Sequence, residues 1–379
     1  MVTRQLIMLA AAILLACVPP AAADVLLRLP APSGAKRVGV VALHLVDHSR
    51  PDPWRPDAGD RELMVSVYYP ARRTAGYPAM PYMLPGAAAH FGAVTANQYL
   101  GLPTGPVDWS AVATHAAQGA PVSGRWPVLI YSPGLGEPRT WDTTLVEDLA
   151  SRGYVVVTVD NTYESPEVQF PDGSVVTWTP PSDPDAFIKK ALAVRVRDTS
   201  FVLDQLAALN AGGRLAGSLD LSAVGMFGHS AGGTAAAAAM DADPRIDAGI
   251  DMDGNLTWLD GGLMPVAAHG LDRPFLFLGK DGATDTGPGW QAFRANTPGW
   301  TRQLTLRGSQ HASFTDAEAL LPQMNLPPDA RTEAIGTIDP AVAIRTQEAY
   351  VSAFFDRWLR GRDSRLLDGP SPCYPAMEF

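Results

Sequence analysis

A serine flanked by glycines, in the order Gly228-His229-Ser230-Ala231-Gly232, is the best-placed nucleophile in this 379-residue sequence. A serine hydroxyl attacks a carbonyl when a base removes its proton and a sharp turn projects it from the backbone. Glycines two positions away on either side let a strand and a helix meet at such a turn. The apolar run 224–227 and the alanine-rich run 232–240 fit that strand and that helix. We therefore predict that Ser230 is a nucleophile.

A histidine after the serine would supply the base, because hydrolases built on this turn place serine, acid and histidine in that order along the chain. Of the seven histidines, His269 and His311 follow the motif. His311 comes just after an apolar run at 303–306, where a strand-end loop can bring an imidazole over the serine. His269 precedes the next apolar run and fits an ordinary loop. We predict His311 as the base.

The acid that orients the histidine has more than one candidate. Asp253 directly follows the apolar run 248–252, and Asp281 and Asp285 follow the run 275–278. A carboxylate at either place could hold the imidazole and stabilise its charged form. An aspartate at a strand end can equally be a solvated loop residue or a helix cap. The order of residues alone leaves the acid open.

The segments that must position these residues alternate between short apolar runs and helical patterns. An early pair, 37–46 and 62–69, reads as two antiparallel strands. The later predicted strands are 127–131, 154–159, 224–227, 248–252, 275–278 and 303–306. Predicted helices occupy 139–152, 185–209, 232–240 and a C-terminal stretch around 344–359. Buried strands between helices predict an α/β fold: a mostly parallel, doubly wound sheet with helices on both faces.

We expect one catalytic domain from residue 24 to 379, interrupted by an insertion at 76–124. That segment is rich in Ala, Gly and Pro and carries the aromatic residues Tyr82, Phe91, Tyr99 and Trp109. It shows no clear period, which is typical of a loop excursion over the core. Two interpretations are open: a lid or apolar acyl site, and ordinary packing against the core.

The N-terminal sequence and the net charge indicate where the protein is located and which partners it can bind. Residues 1–23 combine an early arginine, an apolar stretch and an Ala-x-Ala site, which predicts a signal peptide and a secreted or periplasmic protein. The alternative is a lipoprotein anchored at Cys17. A net charge of −10 without a basic cluster argues against nucleic-acid binding. The zinc, paired-cysteine and P-loop motifs are absent from the sequence, so neither a metal nor an organic cofactor is predicted.

Taken together, these segments resemble the platelet-activating-factor acetylhydrolase family of α/β-hydrolases. The likeness rests on 228–233, on Asp253, on His311 within Gly-Ser-Gln-His, and on the segment from Ser132 to Thr140, which is similar to that family's oxyanion loop. The resemblance implies an α/β-hydrolase fold, Asp253 as the acid, and an oxyanion site made by the backbone N–H groups of Leu135 and Ala231. It also implies a carboxylic ester as substrate, either a small molecule or a lipid met at a lipid interface.

Two other functions fit the same pattern. The first is a secreted cutinase-like polyesterase or general lipase, which would use the same three residues. The second is a binding module that keeps the fold without catalysis, and it is disfavoured because serine, acid, base and oxyanion loop occur together in the expected order.

Overall fold

The computed structural model describes residues 26–97, 107–179, 182–282 and 287–379. The predicted signal peptide, Cys17 and Asp285 lie outside these ranges, as do Tyr99 and Leu100 of the insertion. Cys373 is exposed and unpaired. Across the described ranges, no helix combines the length and the apolar character needed to cross a bilayer.

The elements follow one another in an α/β order after an opening antiparallel pair. The strands are β1 Arg37–Pro51, β2 Asp60–Ala71, β3 Ala117–Gln118, β4 Trp126–Ser132, β5 Val155–Asp160, β6 Glu167–Gln169, β7 Val175–Thr177, β8 Leu219–His229, β9 Ala248–Met252, β10 Phe275–Lys280, β11 Thr301–Leu306 and β12 Met377–Glu378. The helices are α1 Pro85–His90, α2 Thr143–Ser151, α3 Pro184–Ala211, α4 Ala231–Ala242, α5 Pro265–His269, α6 Gly289–Asn296, α7 Ala317–Leu320, α8 Pro328–Ile335 and α9 Pro340–Arg360.

In the described part of the chain, ten strands form one sheet in the order β12-β11-β10-β9-β8-β4-β5-β2-β1-β3. The central strands from β5 to β11 run parallel, while β1 pairs antiparallel with β2 and β12 antiparallel with β11. The strand β5 lies on one side of β4 in the sheet, and the chain later returns to place β8 on the other side of β4. A crevice forms at the carboxyl ends of strands around such a reversal, and it is the usual ligand site of an open α/β sheet.

Both faces of the sheet are buried, as a parallel sheet requires. Along β4, Val128 and Ile130 pack into one apolar cluster with α3, α4, α5 and α6. Their neighbours Leu129 and Tyr131 pack into a second cluster with α2 and α9 on the opposite face. The predicted α/β-hydrolase architecture with helices on both faces is confirmed.

The structure differs from the sequence prediction mainly at element ends. The predicted helix 139–152 begins only at Thr143, because the Asp316 carboxylate accepts hydrogen bonds from the N–H groups of Thr143 and Thr144 and caps the helix there. The strand predicted at 224–227 extends to Leu219–His229. The short strands β3, β6, β7 and β12 were not predicted, since two or three residues carry no measurable period. The helices α1, α5, α6, α7 and α8 were not predicted either, because helices of four to eight residues show little of the helical period.

The inserted segment 76–124 contributes aromatic side chains to a separate apolar cluster. Tyr82, Phe91 and Trp109 are at most 2% exposed, and they pack with Trp141 and residues of α7. The Tyr82 hydroxyl donates to the same Asp316 carboxylate that caps α2, at 2.9 Å. These aromatic residues of the segment thus belong to a packed layer beside the sheet, whereas Ala117–Gln118 form β3 within the sheet.

Candidate active site

Ser230 occupies the sharp turn between β8 and α4. Its φ of 54° and ψ of −124° lie in a region that residues other than glycine rarely adopt. The Ser230 N–H donates to the carbonyl of Met252 on the neighbouring strand at 2.8 Å, and the Ser230 carbonyl accepts from Gly233 at 2.9 Å. The turn is therefore held from both sides, and the serine faces a cavity at the carboxyl end of the sheet.

The glycines of the motif are required by close contacts with the end of β4. A Cβ on Gly232 would lie 1.9 Å from the carbonyl oxygen of Ser132, and a Cβ on Gly228 would lie 2.4 Å from the same atom. A Cβ on Gly233 would lie 1.9 Å from Oδ1 of Asp251. These distances are far below any real contact, so the turn needs glycine at all three places.

His311 and Asp253 meet directly. Nδ1 of His311 forms a hydrogen bond with Oδ2 of Asp253. The Asp253 side chain is 2% exposed while that of His311 is 50% exposed. Oδ1 of Asp253 accepts from the Lys280 N–H at 2.9 Å, and Asp253 itself has a φ of 58°. The carboxylate is thus fixed, and the imidazole reaches from it into the open cavity.

The other residues considered for these roles lie elsewhere. Asp281 accepts from the Gly308 N–H at 2.7 Å through Oδ2, so it holds the start of the His311 loop. His269 ends α5, is 54% exposed on its side chain, and pairs with Asp241. Neither Asp281 nor His269 lines the cavity that contains Ser230 and His311.

Residues 132–137, named the oxyanion loop here after the sequence prediction, begin at the last residue of β4 and pass beside the Ser230 turn. Leu135 of this loop and Ala231 both line the cavity. Ala231 is the first residue of α4, and the first N–H groups of a helix have no partner within the helix. Such groups, together with the positive end of the helix dipole, favour an anion at this point.

A buried arginine on α3 holds the oxyanion loop through hydrogen bonds to two of its carbonyl groups. Arg195 is 3% exposed; it donates to the Gly134 carbonyl at 3.2 Å and also bonds the Pro133 carbonyl. Arg195 also donates to the Ser132 hydroxyl at 3.3 Å and forms a 2.8 Å ion pair with Glu164. Because the guanidinium occupies both carbonyls, the loop is fixed with its carbonyl oxygens turned toward α3.

The cavity beside Ser230 has a volume of about 360 Å³ and is mainly apolar. That size lies within the range of small-molecule sites. Its apolar lining comes from Leu135, Ile188, Ala191, Leu192, Ala231, Leu259 and Met264. No described residue of 76–124 lines it, so the lid interpretation of that segment stays a prediction. Within the described ranges, no group of three or more His, Cys, Asp or Glu side chains is arranged to hold a metal ion.

Sequence reasoning gave no role to three polar residues near the turn: the buried Arg195 and Asp251, and the partly buried Glu137. Burial raises the pKa of Asp251 to about 8, although a hydrogen bond from the Gly254 N–H acts in the opposite direction. Asp251 thus bonds across the turn that carries Asp253, and burial favours its neutral form. No local pattern marks any of the three, since each is recognised only by partners distant in the chain.

Comparison with known proteins relates the chain to named ester hydrolases. Residues 55–170 match the family model described as platelet-activating factor acetylhydrolase, isoform II. That range contains the oxyanion loop and ends before Ser230. A probable 1-alkyl-2-acetylglycerophosphocholine esterase from Arthroderma benhamiae is 29% identical over 93% of both chains. A platelet-activating factor acetylhydrolase from Canis lupus familiaris is 23% identical over 90% of this chain and 82% of its own length.

A solved structure extends the likeness to the whole fold. The ferulic acid esterase from Streptomyces cinnamoneus superimposes with a TM-score of 0.76 and 37% sequence identity, covering 93% of this chain and 99% of the other. The relatives named above are all ester hydrolases. The chain belongs to the platelet-activating-factor acetylhydrolase-like family of α/β-hydrolases and is a serine-type carboxylic ester hydrolase.

Proposed function

We propose that Ser230 is the nucleophile of this esterase, His311 its base and Asp253 the acid that orients the base. One observation carries the assignment: a serine at a left-handed turn and a histidine bonded to a buried carboxylate face the same cavity. With Nδ1 of His311 donating to Asp253, Nε2 is left as the proton acceptor. That is the tautomer a base beside a serine needs.

The reaction would run through an acyl-enzyme. Nε2 of His311 takes the proton of the Ser230 hydroxyl as Oγ bonds to the ester carbonyl carbon, and the backbone N–H groups of Leu135 and Ala231 hold the resulting oxyanion. The carbon–oxygen bond to the alcohol then breaks, and His311 returns its proton to the leaving oxygen. Water repeats the sequence on the acyl group, releases the acid and restores Ser230.

A fluorophosphonate probe tests the nucleophile directly. We expect the folded protein to lose activity as one equivalent of phosphonate attaches, and peptide mass spectrometry to place the adduct on Ser230. Protein denatured before labelling is the control and should not react. An adduct on another serine, or none, would contradict the assignment.

The acyl group that the cavity accepts is, we propose, larger than acetyl and apolar or aromatic. The cavity volume and the apolar side chains of Ile188, Leu192 and Met264 support this, and so does the likeness to a ferulic acid esterase. The relatives named for acetyl-ester hydrolysis make the alkyl-acetyl-glycerophosphocholine ester the competing substrate. A side-by-side assay of methyl ferulate, p-nitrophenyl esters of rising acyl length and that phospholipid decides between them. Emulsified triglyceride and polyester film test the lipase and polyesterase alternatives.

A larger side chain on α3 that projects into the cavity should change which acyl groups the enzyme prefers. Ala191 lines the cavity and is 4% exposed. In Ala191→Phe, we expect kcat/KM for aromatic and long acyl esters to fall about 10-fold to 100-fold more than for acetate esters, because the ring occupies the acyl space. Ala208→Phe, on the exposed side of the same helix, is the control and should leave the ratio unchanged. An unchanged ratio in Ala191→Phe would place the acyl group elsewhere.

A further inference from the structure

His229, directly before the nucleophile, joins three segments of the site through one buried imidazole. Its side chain is 2% exposed. Nδ1 lies 2.9 Å from Oε1 of Glu137, which belongs to the oxyanion loop. Nε2 lies 3.0 Å from the carbonyl oxygen of His311. The Ser230 turn, the oxyanion loop and the loop that carries His311 are therefore connected by a pair, His229 and Glu137, that does not line the cavity.

The hydrogen-bond partners of His229 determine where its protons are. A carbonyl oxygen can only accept, so Nε2 must carry a hydrogen toward His311. If the ring were neutral, Nδ1 would then point a lone pair at Oε1 of Glu137. The other oxygen of Glu137 accepts from the Gly134 N–H at 2.6 Å. A contact of 2.9 Å between Nδ1 and Oε1 thus requires a proton between the two atoms.

The surroundings favour placing that proton on the imidazole. Burial alone would lower the pKa of His229, but the charge and hydrogen bond of Glu137, followed by the charge of Asp253, raise it above its ordinary value of 6.5. Burial alone would raise the pKa of Glu137, yet His229 and the Gly134 N–H bring it below its ordinary value. Both directions favour the proton on the His229 ring and the negative charge on Glu137.

Several other groups face this pair. The rings of His229 and His311 lie 4.4 Å apart between centroids, and His311, when it is protonated, also interacts electrostatically with Glu137. Asp251 interacts electrostatically with His229. Two further groups interact electrostatically with Glu137: Tyr131 and Asp142.

We propose that Glu137 and His229 are positioning residues that share one proton and hold the oxyanion loop and the His311 loop in place around Ser230. This rests on the proposed function, because it assigns the pair a part in ester hydrolysis at Ser230. Loss of the shared proton leaves a lone pair facing a carboxylate, and the two loops separate. Since the pKa of His229 is raised in the fold, the contribution is complete below its ordinary value and is lost as pH rises through the folded value.

Glu137→Gln removes the charge of the carboxylate while keeping the hydrogen bonds to Gly134 and His229. The amide oxygen can accept from the Gly134 N–H while the amide nitrogen donates to Nδ1 of a neutral His229, so each contact has a partner without the extra proton. We expect the wild-type kcat/KM to fall at high pH and this alkaline limb to disappear in Glu137→Gln, with kcat/KM at neutral pH within about tenfold of wild type. Glu137→Ala, which removes both acceptors, should lose about 100-fold at neutral pH.

A matched control is available on the surface. His44 and Glu62 form another histidine–glutamate contact, at 2.6 Å, but with side chains 30% and 41% exposed. Glu62→Gln should leave the pH profile of hydrolysis unchanged. Thermal unfolding of every variant shows whether it is folded, and the glutamine variant and the spectroscopy below decide the question if Glu137→Ala does not fold.

Ring nitrogen chemical shifts give a readout that does not need turnover. In protein labelled with ¹⁵N-histidine, we expect His229 to show two protonated ring nitrogens at neutral pH, and one in Glu137→Gln. Loss of the signal in His229→Asn assigns it. A wild-type His229 with one protonated nitrogen, or an alkaline limb that survives in Glu137→Gln, would overturn the proposal. Failure of the nucleophile assignment would instead appear as absent phosphonate labelling, with these signals unaffected.

Discussion

Ser230→Ala is expected to lower kcat for p-nitrophenyl esters by about 10⁴-fold to 10⁶-fold, which corresponds to about 5 to 8 kcal/mol of lost transition-state stabilisation. The substitution removes only the hydroxyl oxygen. It leaves the turn, the Met252 contact and the motif glycines in place. KM should therefore change little, because the cavity that receives the ester keeps its shape. Initial rates at saturating ester, with enzyme in large amount, measure the residual turnover.

The control for this variant lies on the same strand. Ser222 is exposed on β8 and donates to Asp220, so Ser222→Ala should keep full activity. Ser230→Ala should also unfold at the wild-type temperature or above it. Activity of Ser230→Ala within tenfold of wild type would mean that another group attacks the ester.

Part of this site could be predicted because its signals are local. The run before Ser230, the glycines around it and the helix after it are all within a dozen residues, so the turn can be predicted without knowing its distant contacts. The position of His311 followed from chain order and from the strand that precedes it. The fold class followed from apolar runs of strand length between helical patterns, since burial on both faces leaves that trace in the sequence.

The other features of the site depend on contacts between segments that are distant in the chain. Asp253 and Asp281 each follow one of two adjacent parallel strands, so the sequence places both at the same edge of the sheet. What separates them is geometry: the left-handed backbone at Asp253 turns its carboxylate toward His311, while Asp281 turns toward Gly308. Arg195 supports the oxyanion loop from a helix some 60 positions later in the chain. No property of the arginine itself indicates that partner.

Asp253→Asn is expected to lower kcat by about 10⁴-fold while the protein stays folded. Oδ1 of Asp253 accepts from the Lys280 N–H, and Oδ2 accepts from Nδ1–H of His311. An asparagine keeps one acceptor oxygen, which the backbone N–H of Lys280 requires, so its amide NH₂ group faces Nδ1. The imidazole then accepts at Nδ1 and carries its hydrogen on Nε2. In that tautomer the nitrogen beside Ser230 cannot take the serine proton.

The paired variant Asp281→Asn separates this effect from simple loss of a carboxylate near the base. Asp281 accepts one backbone hydrogen bond, from Gly308, and an asparagine oxygen can accept it equally well. We expect kcat in Asp281→Asn within about tenfold of wild type, because the asparagine keeps the backbone contact and leaves the His311 tautomer unaltered. Steady-state kinetics of the two variants, with thermal unfolding to show that both are folded, gives the comparison. A larger loss in Asp281→Asn than in Asp253→Asn would make Asp281 the acid, and would mean that the His311 loop moves away from Asp253 when the ester binds.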